Sequence, residues 1–147
     1  MSESRQICTF YVDKFFFGID VNKIQEVIRY QEMTSIPLTC DVIRGIINMR
    51  GQIVTAIDMR KRLLFSELSD EIKPTNIVIQ TDDDPVSLLV DSIGDVINIP
   101  NDFFEVPPEN LNGAIRQVLK EVCQFEKQLL LILDLEQVLQ LHEMESN

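Results

Sequence analysis

Residues Ile53-Val-Thr-Ala-Ile57-Asp58-Met-Arg-Lys-Arg-Leu63-Leu64 read as a five-residue strand, a helix-capping Asp and a short helix. The same order returns at Leu129-Leu-Leu-Ile-Leu133-Asp134-Leu-Glu-Gln-Val-Leu139-Gln140-Leu141. Leu63 and Leu139 each stand five residues beyond their Asp. An Asp side chain accepts from the free N–H groups of a helix's first turn, so Asp58 and Asp134 mark two equivalent helix starts. Gln137, three residues past Asp134, fits the second half of a capping box. A further echo lies upstream of each. Ile19-Asp20 precedes Ile24-Gln25-Glu26-Val27-Ile28, and Val90-Asp91 precedes Ile93-Gly94-Asp95-Val96-Ile97. Gly45 and Gly113 hold comparable places between the echoes. The preserved order predicts two related β-lobes in a single domain spanning 1–147. Their approximate bounds are 13–65 and 74–141, with residues 1–12 crossing to complete one lobe. Chance likeness among apolar strands is the competing explanation. At this size neither half would be secure alone, so the lobes are expected to share one core.

The rest of the chain fills in around this frame. Ile7–Val12 and Phe15–Val21 are β-like runs joined by Asp13–Lys14, a two-residue hairpin loop. Lys23–Arg29 suits a strand with Ile24, Glu26 and Ile28 on one face and Gln25 and Val27 on the other. Val42–Met49 and Gln52–Ile57 are apolar runs separated by Arg50–Gly51, and Gly51 takes positive φ at little cost. A short helix is expected over Met59–Phe65. Thr75–Thr81 and Val86–Ser92 form another strand pair around the turn Asp82-Asp83-Asp84-Pro85, a solvated tip. Ile93–Ile99 is a further strand, and Pro100–Pro108 a loop. Ile115–Phe125 fits a helix or a twisted strand equally well. Leu129–Leu133 reads as a buried strand and Leu135–Met144 as a final helix.

Charge narrows the function. The net charge is -11, from 13 basic and 24 acidic residues, against any duplex or phosphate-backbone partner. The excess is uneven. Residues 1–65 carry 9 basic and 7 acidic groups, and residues 66–147 carry 4 and 17. The near-neutral first part is therefore where an anionic partner would dock. Cys8, Cys40 and Cys123 are far apart with no metal-ligand spacing, and read as reduced thiols. Met1–Gln6 is too short and polar for a signal peptide, and Leu129–Leu133 is far short of the roughly 20 residues that span a bilayer. A cytosolic protein without membrane insertion is expected.

Catalysis finds little support. The single histidine, His142, is expected on the surface of the last helix, and one histidine builds neither a triad nor a multi-histidine metal site. No dinucleotide or phosphate loop is present. Asp91 and Asp95 could act as acid and base only in a cleft that separates their pKa values. No metal or cofactor is expected. The clearer signal is a pair of Arg in an apolar setting, within Val42-Ile-Arg44-Gly45-Ile46-Ile-Asn48-Met-Arg50-Gly51-Gln52. Asn48 can bond local backbone and shape the turn at Gly51. Arg50 then projects a five-donor fork toward a carboxylate, in a partner or in Glu26 or Asp58 of this chain.

Gly45 through Arg60 resembles the core motif of the CheW-like domain. Phe17-Gly-Ile-Asp-Val-Asn-Lys-Ile-Gln-Glu26-Val-Ile resembles that family's early strand. Leu89-Val-Asp91-Ser-Ile-Gly-Asp95-Val-Ile, Leu111-Asn-Gly113 and Leu131-Ile-Leu-Asp134-Leu resemble its later blocks. The likeness spans about residues 7–141. It implies a mainly β fold of two five-stranded SH3-like barrels sharing a hydrophobic core, with short helices and a C-terminal helix, and favours strand over helix at Ile115–Phe125. It implies a non-catalytic chemotaxis adaptor that couples the cytoplasmic coiled-coil tip of transmembrane chemoreceptors to the regulatory domain of the histidine kinase CheA. Such an adaptor is recruited from the cytoplasm to receptor arrays at the inner membrane. By position, Glu26 and Arg50 match residues implicated in coupling, while Asp58 and Arg60 look structural. A docking groove lined by Val27, Ile36, Val42 and Ile46 is expected. Thr55 departs from the family, where proline is common, as do Met49 and Met59, where Leu is common. The alternatives are a small-molecule-binding or enzymatic β-barrel, marked by a closed polar pocket at Asp91 and Asp95, and a purely structural interaction protein.

Overall fold

The computed structural model describes residues 3–36, 40–67 and 72–140. Ten strands form two five-stranded sheets. They are β1 (Ser4–Val12), β2 (Phe15–Asp20), β3 (Ile24–Ile28), β4 (Ile43–Met49) and β5 (Gln52–Asp58). After them come β6 (Thr75–Ile79), β7 (Val86–Val90), β8 (Ser92–Pro100), β9 (Leu119–Phe125) and β10 (Gln128–Leu133). Lobe one has the strand order β3-β6-β7-β5-β4, and lobe two β8-β1-β2-β10-β9. The two orders correspond strand for strand. Each contains one parallel pair, β5 with β7 and β10 with β2.

The division of the chain between lobes differs from the expected 13–65 and 74–141. Strands β3 to β7 make lobe one, while β1 and β2 join β8, β9 and β10 in lobe two. The sequence repeats are nonetheless visible. Each runs hairpin, three strands, short helix, and each gives its hairpin to one sheet and its remaining strands to the other. Local pattern shows that a stretch is a strand but not which sheet it enters. The change of sheet occurs over a 3-10 turn, Val21–Lys23, and again at Asp91.

Burial on both faces explains the nearly continuous apolar runs. Along β2, Phe17 and Ile19 face the core shared by the lobes, and Phe16 faces lobe two's own core. Along β10, Leu131 and Leu133 point to the shared core, and Leu130 and Ile132 to lobe two's. In lobe one, Ile77, Leu88 and Ile57 face the shared core while Val78, Leu89 and Ala56 fill its interior. Each fully buried side chain of this kind contributes roughly 1.5–3 kcal/mol. Both sheets curl until their edges meet. Thr34, beyond β3, exchanges hydrogen bonds with Ile46 of β4, and Glu105, beyond β8, does the same with Val122 of β9.

The capping aspartates sit in matching frames. Asp58 opens α1 (Met59–Arg62) and accepts from the Lys61 N–H; Asp134 opens α3 (Leu135–Val138) and accepts from the Glu136 and Gln137 N–H groups. Their own N–H groups donate to Val42 and Val118 carbonyls, each at 2.7 Å. The Asp134 N–H is thus already taken by backbone, which removes the reciprocal arm expected of Gln137. Helix α1 ends before Phe65 because Leu64 turns left-handed, at φ 62°. Its N–H and that of Phe65 then close back on Lys61 and Arg60 carbonyls. The ambiguous stretch 115–125 proves to be both elements. Ile115 lies in α2 (Gly113–Arg116), and β9 begins at Leu119. His142 and the end of the expected final helix lie outside the described residues.

Candidate docking surface

The β4–β5 turn is built from two left-handed residues, Arg50 at φ 55° and Gly51 at φ 83°. Two positive φ values match the right-handed twist of a tight hairpin. Glycine takes this conformation freely; arginine does so at a cost of roughly 1–2 kcal/mol. The Asn48 Oδ1 accepts from the Gly51 N–H at 3.1 Å and fixes the turn. Arg50 Nη2 donates to both Glu26 carboxylate oxygens, at 2.7 and 3.0 Å. Glu26 lies on β3 and Arg50 at the tip of β4, so the pair spans the seam where lobe one closes. The Arg50 side chain remains 77% exposed. An ion pair so open to water contributes about 0–1 kcal/mol. Asp58, the other possible partner, instead meets Arg44 Nη1 at 3.5 Å.

The apolar residues expected to form one groove do not all reach a surface. Val27 is 42% exposed on β3, while Ile36 and Ile46 are half-buried. Val42 is only 1% exposed. It sits at the foot of β4 with its carbonyl engaged by Asp58, so it belongs to the core and cannot line a docking groove. Asp134 and Asp58 serve as helix caps.

Asp91 and Asp95 also part company. Asp91 lies beside a cavity of about 330 Å³ lined by Tyr30, Arg44, Arg60 and Lys73, whereas Asp95 borders a different one. The Asp91 carboxylate is fully engaged by structure. Arg60 Nε and Nη2 donate to its two oxygens at 2.9 and 2.6 Å, and the Asp13 N–H donates to Oδ2 at 2.7 Å. The third arm of Arg60 reaches the Ser66 carbonyl at 2.7 Å. The hydrogen bond to Asp91 raises the Arg60 guanidinium above the ordinary arginine range against the opposing effect of burial. Sequence reasoning missed this clamp, and it missed Arg62, whose Nε and Nη2 donate to the Val138 and Gln137 carbonyls. No local pattern marks either contact, because Asp91 lies 31 residues from Arg60 and the Val138 carbonyl 76 from Arg62.

Among the described residues, no group of three or more His, Cys, Asp or Glu could hold a metal ion, and no helix is long and apolar enough to cross a membrane. The twinned β-module thus carries an exposed arginine on a strained turn, an arrangement suited to meeting a partner.

Comparison with known proteins agrees. The CheW-like domain model matches residues 6–143, and the chain belongs to that family of non-catalytic chemotaxis scaffold proteins. It is 30% identical to the chemotaxis protein CheW of Klebsiella aerogenes, over 87% of this chain and 77% of that one. It is 29% identical to CheW of Bacillus subtilis, over 91% and 86%. The crystal structure of the scaffolding protein TtCheW from Thermoanaerobacter tengcongensis superposes with a TM-score of 0.84 at 25% identity, covering 95% of this chain and 94% of that one.

Proposed function

We propose that this chain couples chemoreceptors to the histidine kinase CheA, holding the receptors' cytoplasmic coiled-coil tip and the kinase's regulatory domain in fixed relation. It does so in the cytoplasm, recruited to receptor arrays at the inner membrane. Family membership supports the adaptor class. The observation that ties coupling to a surface is Arg50, a strained and exposed arginine whose pairing with Glu26 adds too little stability to explain its place. Val27, Ile36 and Ile46 supply the apolar part of the same lobe's contact. No chemical step belongs to the chain; its output is the geometry it imposes on its partners. The test is a pull-down with receptor tip and kinase regulatory domain using Arg50→Asp. Asp tolerates left-handed backbone, so the fold survives, while the new charge repels Glu26 and reverses the surface. Reduced capture of at least one partner is expected. Unchanged capture of both would remove the role given to Arg50.

A further inference from the structure

The two lobes repeat the same seam with opposite chemistry. Arg50 stands eight residues before Asp58, and Glu126 eight before Asp134. Each occupies the left-handed first position of its hairpin turn, at φ 55° and 53°. Glu26 and Asp95 correspond as well. Each is the third residue of its echo, Ile24-Gln-Glu26-Val-Ile28 and Ile93-Gly-Asp95-Val-Ile97, and each lies at a register shift against its neighbouring strand. Where lobe one pairs Glu26 with Arg50, lobe two sets Asp95 and Glu126 around one cavity of about 580 Å³. Neither carboxylate has an ion-pair partner among the described residues. Lys127, on the turn, is the one cation among the described residues that line the cavity.

The floor of this groove is aromatic. Tyr11 stacks on Phe16 with ring centroids 5.1 Å apart, and Phe125 lies 6.3 Å from Phe16. All three line the cavity with Ile97. We propose that the lobe-two seam docks a partner segment presenting an arginine or lysine beside an apolar side chain. The partner cation takes the place Arg50 fills in lobe one, and the apolar group covers the aromatic floor. A guanidinium can bridge carboxylates and stack on aromatic faces at once, so the two features select the same ligand. This inference is independent of the coupling role.

The probe is a five-residue peptide alternating leucine and arginine, blocked at both ends, with a leucine–glutamate peptide as control. Each is titrated into the ¹⁵N-labelled full chain and followed by amide shifts. Saturable shifts are expected at 94–97 and 124–128 with the arginine peptide alone. Glu126→Arg builds lobe two's own version of the lobe-one pair and should weaken binding by about fivefold or more, a loss in the range of a close charge pair. The fold tolerates it, since Arg50 holds the same backbone conformation. Because the whole chain is acidic, Asp83→Arg on the distant hairpin tip makes the same change in net charge and should leave affinity within about twofold. No saturable shift, shifts centred elsewhere, equal response to the glutamate peptide, or equal weakening by Asp83→Arg would each overturn the proposal.

Discussion

Replacing Arg60 with Met tests whether the Arg60–Asp91 clamp holds the lobes together. The side chains are only 13% and 16% exposed, so water screens the pair weakly. Met keeps most of the aliphatic stem and removes four donated hydrogen bonds, two to Asp91, one to Ser66 and a longer one to the Asp13 carboxylate. Asp91 is left with the Asp13 N–H as its one donor within the clamp. Breaking a buried pair by deleting one partner costs about 3–5 kcal/mol, and the partial exposure argues for the lower end, about 3 kcal/mol. For a chain of this length that lowers Tm by roughly 6–12 °C.

The assay is urea unfolding followed by far-UV circular dichroism, since the chain has no tryptophan. A second variant, Arg60→Met with Asp91→Asn, keeps an acceptor for the Asp13 N–H but removes the stranded charge. It should recover about 1 kcal/mol or more relative to the single variant, because most of the loss is an uncompensated carboxylate. The slope m should be the same for all three proteins. A single variant within about 0.5 kcal/mol of the parent, the usual spread of innocuous surface changes, would refute the clamp. So would a double-mutant cycle showing no coupling.

Other perturbations read other parts of the structure. Leu64→Gly should stabilise the protein by about 1 kcal/mol in the same unfolding assay, because it relieves left-handed strain at a 73% exposed leucine. Gly45→Ala should destabilise by about 1–3 kcal/mol, as its Cβ would stand 2.6 Å from the Thr34 carbonyl that closes lobe one's seam. Burial pushes the Cys8 and Cys123 thiols above their ordinary range, with Glu105 adding to the effect at Cys123. A raised folded pKa means that stability is fully present below the unfolded thiol value and falls as pH climbs through and past it. Both thiols should therefore react slowly with a disulfide reagent at pH 8 until denaturant is added, and urea midpoints should fall above about pH 9.

The repeat was legible because capping chemistry is local. Asp58 and Asp134 are recognisable from the helix-forming residues of the very next turn, and the Arg50–Gly51 hairpin from Gly and the flanking alternation. Glu26 as the partner of Arg50 was legible only as one of two options, since their contact depends on β3 and β4 meeting at the seam. The hairpin exchange was illegible for the same reason. Val12 and Ile79 look alike as sequence whichever sheet they enter. Val42 was misplaced because an apolar residue at the start of a strand reads the same facing a partner or the core. Its burial, 1% exposed, goes with the Asp58 N–H bond to its carbonyl, which ties the approach to β4 to the residue that opens α1.

A twinned fold gives a scaffold two similar faces, and similarity alone would let partners bind either one. The seams break that degeneracy with few residues. Lobe one neutralises its own carboxylate with Arg50 and shows an arginine to the solvent. Lobe two sets acids at both equivalent positions over aromatic rings. A ligand that suits one seam meets repulsion or a filled site at the other, which is how like surfaces acquire different affinities. The asymmetry extends to the charge of the chain, near neutral through residue 65 and strongly acidic beyond it. The backbone frames are common to both lobes, so the swap Glu126→Arg should make lobe two behave as lobe one does. Specificity then resides in the turn residue rather than in the barrel that carries it.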